Sequence, residues 1–151
     1  MEIEKLEKIL PKDAQLKVTE NTGIYFWFEN KTNELVYIGY GTGKNGLYNR
    51  IISQEFNPNY IEYRESVHCS KDFFQLSNPI IKKEEGVLKK GIDKSALRKK
   101  IGRAYNVKPG KETIEYIMQN LYLKFCEIDD IKQIKELKKN LKKEYKPKLN
   151  G

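Results

Sequence analysis

The stretch Gly23–Ile51, "GIYFWFENKTNELVYIGYGTGKNGLYNRI", decides how the rest of the chain is read. Its two apolar runs, "GIYFWFEN" and "ELVYIGY", are rich in aromatic and β-branched residues, which favour a pleated strand. Asn30 to Asn33 between them supply turn chemistry, so the stretch predicts a β-hairpin. The loop "GTGKNG" follows. Then "GLYNRIISQEF" places Leu47, Ile51 and either Ile52 or Phe56 at helical spacing. Tyr25 and Tyr37 occupy matching places in the two runs, and Arg50 stands at the start of the helix.

Working outward, Ile3, Leu6, Ile9 and Leu10 predict a short docking helix ended by Pro11. Downstream, 57–94 mixes turn-like and polar stretches and reads as an irregular insert. "SALRKKIGRAY" predicts a helix capped by Ser95, with Leu97, Ile101 and Tyr105 or Ala104 on its apolar face. "KPGKETIEYIMQN" predicts another, with Ile114, Ile117 and Met118 inward. "LYLKFCEI" alternates as a strand. "DDIKQIKELKKNLKKEY" closes as a helix stopped by Pro147, with Ile131, Ile134, Leu137 and Leu141 buried. The fold class is α/β (α+β), one domain over 1–151, with 1–20 as lead-in and a small antiparallel sheet flanked by helices.

The 151 residues carry 29 Lys and Arg against 21 Asp and Glu, a formal net charge of +8. Such an excess suits an anionic partner such as nucleic acid or a membrane surface, although a solvated lysine face gives the same count. No run is long enough to span a bilayer, and the charged N-terminus is unlike a secretory signal. Cys69 and Cys126 are far apart and lack metal-ligand neighbours, so a reduced, cytoplasmic setting is expected. His68 stands without a third catalytic partner.

Gly41, Gly43 and Gly46 satisfy G-x-G-x-x-G, but the strand before them is already half of a hairpin. A dinucleotide fingerprint needs a parallel βαβ unit. The loop is not a P-loop either, because no Ser or Thr follows Lys44. Lys44 and the loop amides remain candidates for holding a phosphate.

"GIY" at Gly23–Tyr25, "YIG" at Tyr37–Gly39, "GLYNR" ending in Arg50, and Pro147 to Asn150 together resemble the GIY-YIG nuclease superfamily, in order and over nearly the whole chain. The resemblance implies a three-stranded antiparallel sheet with flanking helices, and hydrolysis of DNA phosphodiesters with Mg²⁺ or Mn²⁺. It implies that Tyr25 and Tyr37 flank the attacking water, one taking its proton, and that Arg50 steadies the phosphate. Asn150 would orient groups by hydrogen bonds. A free tyrosine titrates near 10, so a nearby cation or metal must lower it, with Arg50 or Lys44 as contributors.

One position departs from the pattern. The family's metal-binding glutamate lies nine residues before the proline, and Lys138 stands there. An ammonium has no lone pair for a hard cation. Glu136 is the substitute ligand if the register shifts by two residues. A DNA endonuclease is therefore the first expectation. An inactive relative that binds nucleic acid or a protein partner is the second. Arg98, Lys99, Lys100 and Arg103 on the "SALRKKIGRAY" helix are expected, from charge, to touch DNA. Cutting both strands would require a dimer or two nicks, which leaves the oligomeric state open.

Overall fold

The computed structural model describes residues 1–65 and 80–150. It is an α+β structure with two small antiparallel sheets. The chain divides into two compact units, one of 1–56 with 117–151 and one of 57–116.

In the first unit, β1 (Gly23–Glu29) pairs antiparallel with β2 (Leu35–Gly41) and with β6 (Leu121–Glu127), giving the order β2-β1-β6. The hairpin is thus present, and β1 is its central strand. "IYFWF" reads as a continuous apolar run for that reason: Ile24 to Phe28 are buried, on both faces of the sheet. Register sets the faces. Tyr25 pairs with Gly39 and Trp27 with Tyr37, so these side chains share one face. Ile24, Phe26, Phe28 and Ile38 share the other, where they form a core with Tyr122 and Leu141. That second core includes Leu141 and Leu137 of the C-terminal helix α5 (Ile131–Tyr145). Asp130 caps this helix by accepting from the Lys132 and Gln133 amides. Its stripe is narrower than the spacing predicts, because Ile131 is exposed.

Both outer edges of this sheet are covered. Ile9 and Leu123 exchange backbone hydrogen bonds of 2.8 Å on the β6 side. The expected N-terminal helix is replaced by a 3-10 turn at Ile3–Lys5, a second at Pro11–Asp13 and the single turn α1 (Ala14–Lys17). Ile9 is extended because it serves as an edge partner. On the β2 side, the Leu149 amide donates to the Val36 carbonyl at 2.9 Å. Asn150 follows it onto the same edge, where its side chain bonds the backbone of Ile38.

After β2, a turn of α-helix, α2 (Gly46–Tyr48), runs into a π-helical segment (Asn49–Glu55). Leu47 and Ile51 are fully buried, as their spacing predicts.

The second unit contains β3 (Ile61–Glu65), β4 (Ile80–Glu84) and β5 (Val87–Asp93), ordered β3-β5-β4. The stretch 57–94, irregular by sequence, thus carries a sheet of its own. Its signal is faint because β4 is largely exposed, and β4 and β5 each carry a pair of lysines with little hydrophobic alternation. Helix α3 (Ala96–Tyr105) follows, with Ser95 accepting from the Arg98 amide as expected of the cap and with Leu97 and Ile101 buried. Helix α4 (Lys111–Asn120) buries Ile117 but exposes Met118. No helix among the described residues is long and apolar enough to cross a membrane.

Candidate functional site

Two tyrosines, an arginine and a buried glutamate meet on the Tyr25 face of the first unit. Tyr25 and Tyr37 lie on neighbouring strands with ring centroids 6.3 Å apart. Gly39, opposite Tyr25, is required here: a Cβ at that position would run into Cζ and the hydroxyl of Tyr25. The glycine of "YIG" is thus the space that the tyrosine of "GIY" fills.

Arg50 reaches the pair from the π-helical segment. It is half-buried and interacts with both tyrosines. Five residues on, Glu55 is 1% exposed. The Tyr25 hydroxyl donates to its carboxylate at 2.7 Å, and the Trp27 indole N–H donates to the other oxygen at 3.0 Å. Sequence reading missed Glu55 for a geometric reason. On an α-helix, five residues are about 140° round from Arg50. In a π-helix the hydrogen bonds run from i to i+5, and the Phe56 amide donates to Ile51 in that manner. The wider turn brings Arg50 and Glu55 to one side.

Burial and Glu55 push both phenols up, Tyr37 to about 12 and Tyr25 well above its ordinary value. Arg50 pulls each of them down, but less strongly. The expected depression of a tyrosine by the nearby cation is therefore absent from this arrangement, and both phenols hold their protons at neutral pH. Burial also works against the Arg50 charge, but Tyr25, Tyr37 and Glu55 outweigh it, so the guanidinium stays protonated.

Asn150 has a defined place. Its side-chain oxygen accepts from the Ile38 amide at 2.7 Å and its amide donates to the Ile38 carbonyl at 2.8 Å. The side chain thus imitates a neighbouring strand beside Tyr37. It positions β2 and spends its polar atoms in doing so.

The residues expected to hold a metal do not fit one. Lys138 is half-buried, with its ammonium 4.7 Å from the centre of the Tyr40 ring. Burial, then Lys142 and Arg50, lower its pKa. Glu136 is exposed on α5. Glu55 is engaged by Tyr25 and Trp27. No cluster of three His, Cys, Asp or Glu able to hold a metal occurs among the described residues.

The glycine loop is spent on local structure. Gly46 has a left-handed φ of 41°, and a Cβ there would strike the Asn21 carbonyl. The amides of Gly46, Leu47, Tyr48 and Asn49 donate to Gly43, Asn21, Thr19 and Asn45. They form no phosphate cradle, although Lys44 stays exposed.

The DNA-facing set on α3 needs a correction. Arg98 is fully buried in the second unit, paired with Asp93, and donates to Thr113 and to the Asn57 carbonyl. Asp93 also accepts from the Gly110 amide and the Thr113 hydroxyl, both at 2.8 Å. Arg98 closes a polar core and has no surface to offer a ligand. Lys99 and Lys100 are half-buried and Arg103 is exposed. His68 and Cys69 lie outside the described residues.

Compared with protein-family models, curated proteins and solved structures, the chain matches none.

Proposed function

We propose that this chain is a nucleic-acid-binding domain of GIY-YIG type, in which Arg50 and Lys138 hold a DNA backbone phosphate without a metal-bearing carboxylate beside them. The observation that carries this reading is Lys138. It stands at the glutamate position of the motif, partly desolvated, close enough to Arg50 for each charge to oppose the other. Glu55 answers the charge of Arg50. Lys138 has no ion pair among the described residues. A phosphodiester entering here relieves the repulsion: the planar guanidinium fork offers paired donors, and the ammonium a point charge. Tyr25 and Tyr37, protonated, present hydroxyl groups rather than a base.

A second reading, a DNA endonuclease using Mg²⁺ or Mn²⁺, is favoured by a different observation. Tyr25, Tyr37 and Arg50 converge as that chemistry requires, and phosphoryl transfer depends mainly on positioning and charge stabilisation. DNA binding and plasmid nicking with each metal separate the two, using the wild type, Arg50→Ala, Lys138→Ala and Lys138→Glu. The binding reading expects salt-sensitive DNA binding that falls in Arg50→Ala and Lys138→Ala, no nicking by the wild type, and nicking gained in Lys138→Glu. Wild-type nicking that disappears in Arg50→Ala ends the binding-only reading in favour of the enzyme. Absence of both binding and nicking ends both.

A further inference from the structure

Beside the tyrosine–arginine cluster, helix α5 and Tyr40 of β2 line an open, solvent-facing cavity of about 540 Å³. It is lined by Tyr40, Lys135, Lys138, Lys139, Lys142 and Lys143, and by none of Tyr25, Tyr37 or Arg50. The five lysines fall at offsets of three, four, seven and eight along α5, which puts them on one face. No carboxylate lines the cavity, and none of these lysines forms an ion pair among the described residues. Every ammonium is a donor with no acceptor. A site built this way is dominated by positive charge.

We propose that this cavity is a second anion site, and that it takes a run of two or more linked phosphates. The spread of charge sets the number. Eight residues of helix extend ~12 Å, too far for one phosphate to meet both ends. Double-stranded DNA presents about seven charges over that length, one per ~1.7 Å of axis. A free polyphosphate chain has the same linked-phosphate chemistry. The site shares Lys138 with the function proposed above, whereas Lys135, Lys139 and Lys143 belong to it alone, so variants at those three test it separately.

Titration calorimetry near physiological salt tests it with orthophosphate, tripolyphosphate and a short DNA duplex. The wild type is compared with Arg50→Ala and with two triple variants at Lys135, Lys139 and Lys143, one to Gln and one to Arg. Tripolyphosphate is expected to bind once per chain, about tenfold or more tighter than orthophosphate. The Gln triple should lose about tenfold of that affinity, while the Arg triple keeps it, and any part lost in Arg50→Ala belongs to the Arg50–Lys138 site proposed above. Retention in the Arg triple, with unchanged circular dichroism, guards against misfolding. DNA that displaces tripolyphosphate, and whose log-affinity slope against log salt drops by about 2.7 in the Gln triple, identifies a backbone as the source. DNA that fails to displace it identifies a free polyphosphate. Equal binding of orthophosphate and tripolyphosphate, or a Gln triple as good as wild type, overturns the site.

Discussion

Replacing Glu55 by Gln changes one heavy atom, an oxygen to a nitrogen, yet the site predicts a large effect. The carboxylate accepts from two buried donors, the Tyr25 hydroxyl and the Trp27 indole N–H, and faces the charge of Arg50. An amide has one accepting oxygen. The indole can only donate, so the oxygen must turn to Trp27 and the amide nitrogen must face Tyr25. The Tyr25 proton then loses its acceptor. A hydrogen bond to a charged partner contributes ~1.5–3 kcal/mol. Arg50 also loses its counter-charge, and the full cost of breaking a buried pair, ~3–5 kcal/mol, must be discounted because Arg50 is only half-buried. Together these predict a loss of about 2–4 kcal/mol, or roughly 6–12 °C in Tm for a chain of this size. Urea unfolding followed by fluorescence measures it directly, because Trp27 is the single tryptophan and reports on this bond. Glu136→Gln, on the exposed face of α5, is the control and should stay within about 0.5 kcal/mol. A Glu55→Gln loss below about 1 kcal/mol would refute the claim that this carboxylate organises the cluster.

Tyr37 should ionise only near pH 12 in the folded chain, against about 10 when unfolded. Its folded pKa is raised, so the contribution is complete below pH 10 and is lost as pH climbs from 10 through 12. Alkaline titration by ultraviolet absorbance should show late tyrosines, of which the one near pH 12 vanishes in Tyr37→Phe, and a titration unchanged by that substitution would sink the assignment. Gly39→Ala forces the Tyr25 ring off its place and should cost about 1–3 kcal/mol, whereas Gly43→Ala, in open space, should be tolerated in the same melts. Arg98→Ala leaves Asp93 buried without its cation and should destabilise by about 3–5 kcal/mol, while Arg103→Ala should leave the melting point within a degree or two. An Arg98→Ala chain that melts like wild type and has lost only DNA affinity would return Arg98 to the surface set.

The local signals that sequence carried well were those arising from neighbours in the chain. Alternating aromatic runs joined by an Asn-rich turn specify a hairpin, and Ser95 before an apolar-periodic stretch specifies a capped helix. By itself the sequence determined that Tyr25 and Tyr37 would sit on adjacent strands and that Arg50 would follow on a helix. Tertiary structure alone decided the rest. A charged residue looks the same in sequence whether it faces water or a buried partner, so Arg98 could be told from Arg103 only once Asp93 and Thr113 closed round it. Glu55 joined the cluster because the helix widens to a π turn, a change in period that no residue pattern announced. Asn150 found Ile38, 112 positions away, because the free edge of β2 needed hydrogen-bond partners. Periodicity reports what a residue's own segment will do, whereas the partners of a buried polar group come from distant segments and are set only when those segments pack.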